Sequence, residues 1–176
     1  MTAPERLRFA DGGAIPNSPL PVLAYHGVPG IGSPGDCAAL FAANGWLGAW
    51  VDGIYTFHHF HSTAHEVLGI VAGSASVTLG GPHGTTVEVG RGDVLVLPAG
   101  TAHLNAGQSP DLVVVGAYPG GMWCDLRRGD PAERDEVLAN IAAVPVPDTD
   151  PVHGPGGPLI EAWRQGVDAG GARPPG

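Results

Sequence analysis

The sequence predicts an all-β fold, an antiparallel sandwich or small barrel, and three observations favour it. The 176 residues include 29 Gly and 18 Pro, a composition that disfavours a helical bundle and favours short strands joined by turns. Between Trp46 and Tyr118, short runs rich in Val and Leu alternate with Gly, Pro and Asp at regular spacing. The same stretch has no helical period of useful length, so strands are its natural interpretation.

We expect one structural domain made of three successive parts. Residues 1–45 form a Pro/Gly-rich arm, which packs along the body and could add an edge strand, followed by a short helix over about Pro34–Ala43. Ser33 is a good N-cap, Pro34 suits the first helical position, and Asn44-Gly45 supplies a stop. Residues 46–120 form the β-barrel.

Residues 121–176 hold the C-terminal elements. A helix is expected after Asp130, with Asp130 as its N-cap. The proline-rich stretch that follows should be irregular, because repeated prolines interrupt both helices and ladders. A last short helix is expected near Leu159–Gln165. From Val167 onward the Pro/Gly-rich tail is expected to lack regular structure.

The balance of charge excludes several classes of partner. The formal net charge is −9, with only eight Lys and Arg residues, so we expect neither nucleic acid nor an anionic membrane as a partner. No apolar run approaches the length of a membrane span, and the first residues lack an apolar signal core, which predicts a cytoplasmic protein.

Cys37 and Cys124 are expected to be free thiols.

Metal-ligating residue types concentrate in the stretch FHHFHSTAHE, which holds four of the eight histidines. His59 and His61 are two residues apart, so in a strand both imidazoles point to one face. The small residues Ser62–Ala64 favour a loop, after which Glu66 can return to that same side. His103, beginning another predicted strand after a Pro/Gly turn, is the candidate for the remaining member.

Imidazoles and a carboxylate that meet at one point suit one divalent transition metal rather than calcium. Fe, Mn, Ni, Zn, Co and Cu all remain open, because ligand type alone does not separate them. The alternative is a set of hydrogen-bonded core histidines. His65 would replace Glu66 as the ligand if the loop were one residue shorter; otherwise His65 faces away and forms structural hydrogen bonds. By the same alternation, His58 is expected at a surface or interface.

These residues resemble the two motifs of the cupin superfamily. The first motif, with five, one, four and six residues between its fixed positions, is matched by Gly53, His59, His61, Glu66 and Gly73. The second, with intervals of five, one and two, is matched by Gly92, Pro98, Gly100 and His103. One position departs: the Asn usual four residues after the second-motif His is Gly107 here, whereas Asn105 shares the face of His103.

The resemblance extends over roughly Asp11–Trp163 to the YjlB-like group of small bacterial cupins. It includes the stretches HHFHSTAHEVLGI, PAGTAHLNAG, VGAYPGG and IAAVPVPDTDPVHGPGGPL. It implies a cupin double-stranded β-helix, a small jelly-roll barrel, here with short N- and C-terminal helices. It also implies a homodimer and a metal inside the barrel, with the ligands His59, His61, Glu66 and His103.

Other side chains are candidates for the cavity wall, namely Tyr55, Phe57, Asn105 and Tyr118. Tyr55 and Phe57 alternate in phase with the histidine ligands, although plain core packing is the alternative. Arg127 and Arg128 follow the last clear strand. Either arginine could clamp a substrate carboxylate, and the alternative is a solvated turn with a surface salt bridge.

Three His and one Glu ligand leave two adjacent positions of an octahedral metal open to a substrate. The first hypothesis is a metal-dependent oxidoreductase of the dioxygenase type that acts on a small oxygenated molecule, with Glu66 as a catalytic proton acceptor. The alternatives are a metal-dependent isomerase, epimerase or lyase, and a non-enzymatic metal- or small-molecule-binding module. The motif strands contain no Lys or Arg except Arg91, which disfavours a phosphosugar substrate.

Overall fold

Two antiparallel sheets packed face to face make up the body of the protein. The structure, a computed structural model, describes residues 2–170. In chain order the strands are β1 (Glu5–Leu7), β2 (Val22–Tyr25), β3 (Trp46–Asp52), β4 (Glu66–Ala72), β5 (Ser74–Leu79), β6 (Thr85–Gly90), β7 (Val94–Leu97), β8 (His103–Gln108), β9 (Val113–Pro119), β10 (Thr149–Asp150) and β11 (Gly154–Pro155). The helices are α1 (Pro34–Ala43), α2 (Arg134–Ala143) and α3 (Pro158–Gly170).

The larger sheet has six strands in the spatial order β1-β2-β7-β4-β9-β3, and the smaller sheet has three in the order β6-β5-β8. Neighbouring strands are antiparallel throughout both sheets. A hairpin loop at residues 80–84 joins β5 to β6. The all-β jelly-roll fold predicted from the sequence is therefore confirmed.

The central strands of the six-stranded sheet, β2, β7 and β4, are buried on both faces, which explains the unbroken apolar run in β7. Leu95 and Leu97 belong to the core between the two sheets, together with residues such as Leu68 of β4 and Val77 of β5. Val94 and Val96 point to the opposite face of the sheet, where residues of α1 and α3 cover them. The alternation along one strand thus supplies two separate cores.

The first helix has the bounds that the sequence predicts. The Ser33 side chain accepts from the Asp36 backbone N–H at 3.2 Å, and Pro34 begins the helix. Asp130 caps a short 3₁₀ turn that leads into α2, accepting from the Ala132 N–H at 2.9 Å. Among the described residues, none of the helices combines the length and apolarity of a membrane span.

Three expectations for the terminal segments need correction. The arm does more than add an edge strand, because β2 lies between β1 and β7 inside the larger sheet. The proline-rich stretch is not wholly irregular, since Thr149–Asp150 and Gly154–Pro155 form a two-residue ladder. The last helix, α3, continues beyond Gln165 to Gly170, because nothing in the sequence breaks it there. Residues 171–176, the rest of the predicted tail, lie outside the described residues.

Candidate metal centre

The four predicted ligands come from three segments that meet at one end of the sandwich. Glu66 is the first residue of β4 in the larger sheet, and His103 is the first residue of β8 in the smaller one. His59 and His61 lie in the extended segment before β4. This segment is paired to β8 by two backbone hydrogen bonds, His59 N–H to His103 O at 3.2 Å and His103 N–H to His59 O at 2.9 Å.

The side chains converge closely enough to hold one ion. One ligand nitrogen from each of His59, His61 and His103 lies within 4.8 Å of the other two. Glu66 Oε2 lies 3.2 Å from His61 Nε2 and 3.3 Å from His103 Nε2. All four residues are buried. Three imidazoles and a carboxylate therefore surround a common point between the sheets.

Backbone carbonyls orient each of the three rings. The Nδ1 atom of His59 faces the Phe57 carbonyl at 3.0 Å, and that of His103 faces the Thr101 carbonyl at 3.3 Å. His61 Nδ1 makes the equivalent contact with the Asp125 carbonyl. A carbonyl only accepts, so the proton is assigned to Nδ1 in each ring. The Nε2 lone pairs are thereby left for a ligand in the centre.

In the metal-free site, Glu66 and His59 have the protonation states that metal binding requires, whereas the contact with Glu66 outweighs burial at His61 and raises the pKa of that ring. Burial raises the pKa of the Glu66 carboxyl, but its contacts with His103 and His61, which become hydrogen bonds when those rings take up a second proton on Nε2 in the absence of metal, outweigh burial, so its pKa lies well below the usual range. Burial, reinforced by His103, lowers the pKa of His59 to about 3. At neutral pH the site thus offers an ionised carboxylate and a neutral imidazole. A buried carboxylate facing nitrogen lone pairs calls for a cation, and this donor set fits a divalent transition metal.

A cavity of about 400 Å³ opens onto the four residues. Its apolar walls include Trp50, Ile54, Tyr55, Leu68, Tyr118 and Leu126. Tyr55 and Tyr118, two of the four residues expected in the cavity wall, do line this cavity. Phe57 and Asn105 are not among its described lining residues. Phe57 instead stacks on Tyr55, with 5.0 Å between the ring centroids. The Asn105 side chain hydrogen-bonds with the Gln108 side chain and accepts from the Gly107 N–H, next to a register irregularity between β5 and β8.

Three further residues at the site escaped the sequence analysis. Trp50 donates to the Tyr118 hydroxyl at 2.9 Å, and that hydroxyl donates to Glu66 Oε1 at 3.1 Å. Cys124 lines the same cavity, and its thiol is free, as is that of Cys37. Burial and the Glu66 charge both raise the pKa of Tyr118, so its hydroxyl keeps its proton.

Asp125 is the third of these residues and the least predictable. Its carbonyl orients His61, and its buried carboxylate accepts from the Ser62 N–H at 2.6 Å and from the Arg127 Nε at 2.7 Å. Asp125 and His61 are 64 residues apart. No local spacing signals a contact over that separation, so only the folded chain reveals it.

Neither Arg127 nor Arg128 is among the described residues that line the cavity. Arg127 pairs with Asp125, Glu133 and Glu136, each at 2.6–2.8 Å. Arg128 lies over the Phe57 ring, 4.2 Å from its centroid. Both arginines therefore occupy the structural role that stood as the alternative to a substrate clamp.

His65 lies on the other side of the strand from Glu66. Its Nδ1 accepts from the Ala99 N–H at 2.9 Å, its Nε2 donates to the Pro145 carbonyl at 3.2 Å, and its ring packs against Trp163. With both nitrogens engaged in this way, His65 has the structural role and not the ligand role. His58, which was expected at a surface or interface, is half-buried.

Comparison with known proteins identifies a matching family model and a similar bacterial protein. Residues 53–118 match the family model described as Cupin. The chain is 36% identical over 156 residues to the Bacillus subtilis (strain 168) protein named "Uncharacterized protein YjlB", an alignment that covers 88% of this chain and 93% of that protein.

Solved structures resemble the chain more distantly. Acireductone dioxygenase from Bacillus anthracis, with a cadmium ion in its active centre, is 22% identical over 52% of this chain, with a TM-score of 0.38. That match covers 62% of the dioxygenase, less than two thirds of its length. The WlaRB TDP-quinovose 3,4-ketoisomerase from Campylobacter jejuni is 17% identical over 52% of this chain and 74% of its own, with a TM-score of 0.41. At these TM-scores neither likeness bears on activity.

Proposed function

The chain belongs to the cupin family, in its YjlB-like group, and we propose that it is a metal-dependent oxidoreductase of the dioxygenase type that acts on a small oxygenated molecule. One observation carries the proposal: three imidazoles and one carboxylate meet at the base of a cavity of about 400 Å³. A site that combines a metal-ligating cluster with an open, partly apolar cavity has the general form of a small-molecule catalytic centre.

The residues that would hold the metal are His59, His61, Glu66 and His103. A redox-active divalent ion bound there supplies both a Lewis acid for a substrate oxygen and electrons for chemistry with dioxygen. The chain's own contribution is to orient the imidazoles through backbone carbonyls and to exclude water through the apolar wall. Glu66, buried and among the residues that line the cavity, is the group to which we assign the role of proton acceptor from the substrate.

The charges of the cavity wall favour a substrate that carries neither a phosphate group nor several carboxylates. Among its described lining residues there is no Lys or Arg, whereas Asp52 and Asp125 both belong to the lining. A polyanion would meet no fixed positive charge other than the metal, in a protein whose net charge is −9. Aromatic side chains, Trp50, Tyr55 and Tyr118, instead offer flat apolar surfaces. A small uncharged enol, diol or hydroxyketone fits these walls.

A second candidate, a metal-dependent isomerase or lyase, is favoured by one contact. The Tyr118 hydroxyl donates to Glu66 Oε1 at 3.1 Å, which places a phenol and a carboxylate side by side at the cavity wall. Such a pair could move a proton between two carbon atoms of a substrate without oxygen. The two candidates therefore differ in whether turnover requires dioxygen.

Metal content tests the site itself. Protein purified without added metal is analysed for metals, as wild type and as His103→Ala. His83→Ala is the matched control, because His83 is exposed in the loop between β5 and β6. We expect about one metal ion per chain in the wild type and the control, and almost none in His103→Ala. Equal metal content in all three proteins would refute the site.

Oxygen consumption tests the reaction type. The metal-loaded wild type is mixed with a panel of small uncharged enols, diols and hydroxyketones in an oxygen electrode. We expect uptake with at least one compound and none with His103→Ala. Product formed at the same rate under anaerobic conditions would favour the isomerase or lyase. Tight binding without any turnover would indicate a non-enzymatic binding module.

A further inference from the structure

The two oxygen atoms of Glu66 have different partners. Oε2 faces the Nε2 atoms of His61 and His103, at 3.2 and 3.3 Å. Oε1 accepts from the Tyr118 hydroxyl at 3.1 Å. That hydroxyl in turn accepts from the Trp50 indole N–H at 2.9 Å. A hydrogen-bonded chain thus runs from the wall of the cavity to the oxygen that points away from the histidines.

We propose that Tyr118 is a positioning residue, which restricts Glu66 to ligation through Oε2 alone, and that Trp50 fixes Tyr118 in this role. This inference rests on the proposed metal centre. A carboxylate can bind an ion through one oxygen or through both, and a strong donor on one oxygen favours the first mode. One-oxygen ligation would leave a further coordination position of a bound metal free for substrate.

The donor and acceptor in each of these two hydrogen bonds follow from the chemistry of Trp50, Tyr118 and Glu66. An indole nitrogen can only donate, so the Tyr118 oxygen must accept from Trp50. Its single proton is then free to point at Glu66, whose ionised carboxylate can only accept. The indole and the carboxylate therefore each have one possible role, and the Tyr118 hydroxyl, which also contacts the Cys124 thiol, can join them only by accepting from Trp50 and donating to Glu66. The hydrogen bonds so formed restrain the orientation of the carboxylate.

The sheet is built to accommodate the indole. Trp50 lies on β3 and is paired with Gly116 on β9, next to a register irregularity in β3. A Cβ atom added at Gly116 would lie 2.1 Å from the Trp50 ring, so the indole rests directly on the backbone of β9. Gly116 has no positive φ that would require glycine for conformational reasons. Its lack of a side chain is explained by the space that Trp50 needs.

Cobalt binding tests the inference. Co²⁺ is titrated into metal-free wild type, Tyr118→Phe and Trp50→Phe, and both affinity and visible absorption are recorded. Loss of the hydroxyl releases Oε1, so Tyr118→Phe should bind about tenfold more weakly or worse, in the range of lost outer hydrogen bonds to metal ligands. Its absorption bands should shift, because the second oxygen can enter the coordination sphere. Trp50→Phe should move both quantities in the same direction by less.

The matched controls remove the same groups elsewhere. Tyr25→Phe deletes a phenol oxygen from the core on the other face of the larger sheet, and Trp123→Phe deletes an indole from the exposed surface. Both should keep the wild-type affinity and spectrum. The double variant Tyr118→Phe/Trp50→Phe should match Tyr118→Phe alone, because Trp50 acts through Tyr118. Melting curves of the metal-free proteins check that each variant is folded.

The outcomes separate this inference from the proposed function. A wild type that binds no Co²⁺ would overturn the metal centre and the inference with it. A wild type that binds Co²⁺, with a folded Tyr118→Phe of unchanged affinity and spectrum, would overturn the positioning role alone. An additive effect of the two substitutions would refute the part assigned to Trp50.

Discussion

At the scale of single residues, the three site histidines share one mode of support. Each Nδ1 is engaged by a backbone carbonyl, from Phe57, Thr101 or Asp125. Backbone carbonyls cannot be changed by substitution, and their positions follow from the strands that carry them. The ring orientations are therefore set by the fold before any metal binds, which reduces the cost of ordering the site on binding.

The first prediction concerns Glu66. Glu66→Gln keeps the shape of the side chain but removes its charge, and Glu66→Ala removes the ligand altogether. We expect both variants to lose metal affinity by more than about 100-fold, beyond the effect of an outer hydrogen bond. Turnover should be lost with the metal. Isothermal titration with Co²⁺ measures the loss.

The fold should survive these changes. Glu66→Gln keeps the volume of the side chain and can still form hydrogen bonds with Tyr118 and the site histidines, so the metal-free protein should remain folded. Melting curves in the presence of a chelator should therefore be similar for the wild type and for Glu66→Gln. A much lower melting temperature combined with retained metal would show that Glu66 is structural instead.

At the scale of elements, the turn between β7 and β8 sets the position of His103. Gly100 in this turn has φ +94°, and a Cβ atom there would lie 2.7 Å from the Asn17 carbonyl oxygen. We expect Gly100→Ala to lower the free energy of unfolding by about 1–3 kcal/mol, the usual cost of a strained backbone residue, and to weaken metal binding. Urea unfolding and Co²⁺ titration measure the two effects.

Gly107 provides the matched control for this turn. It lies in β8, its φ is not positive, and a Cβ atom added there meets nothing within 4 Å. Gly107→Ala should therefore leave stability within about 0.5 kcal/mol and metal affinity unchanged. Equal losses at both positions would mean that alanine disturbs β8 for another reason.

His65 ties β4 to the turn after β7 and to α3, and it makes stability depend on pH. Burial lowers its pKa to about 4, from 6.5 in the unfolded chain. The unfolded state then binds the proton more readily, so stability is fully present above pH 6.5 and falls as the pH approaches 4. The gap corresponds to at most about 3 kcal/mol.

His65→Gln isolates this contribution, because Gln can donate and accept but does not titrate. Urea unfolding of both metal-free proteins should show the advantage of the wild type shrinking between pH 7 and pH 4. The chelated proteins are compared so that release of metal does not contribute. Parallel stability curves over this range would contradict the assignment of the pH dependence to His65.

Elements governed by local signals were predicted well from the sequence. Helix α1 has the predicted bounds, because Ser33, Pro34 and Asn44-Gly45 act within one turn of the chain. His103 begins β8 as expected after its Pro/Gly turn. The place of β2 was not predicted, because pairing with β7 joins Val22–Tyr25 to residues some 70 positions away. Local patterns do not encode such partners.

At the scale of the whole molecule, the parts of the site that local spacing encodes were predicted, and the parts that depend on long-range packing were missed. The four candidate ligands lie at fixed short spacings within the two sequence motifs, and the structure brings them together. Trp50, Cys124 and Asp125 reach the site only through the packing of β3, β9 and the segment after β9. Their side-chain types are common in loops and strands, so no spacing distinguishes them.

Association of two copies is the last prediction, and it follows from the family resemblance. Strand β3 forms one edge of the six-stranded sheet, and Leu47 on this edge is 43% exposed. Exposed apolar edges favour pairing with another chain. Light scattering should give twice the mass of one chain for the wild type and one chain mass for Leu47→Asp. Leu138→Asp on α2 is the control and should remain dimeric; a monomeric wild type would contradict the prediction.

The presence and position of the metal provide the most direct test of the central claim. Crystals of protein purified without a chelator are measured on both sides of the absorption edges of the candidate metals. We predict one anomalous peak, about 2.0–2.2 Å from the Nε2 atoms of His59, His61 and His103 and from Glu66 Oε2. A metal found elsewhere in the molecule, with no peak between these four side chains, would contradict the account.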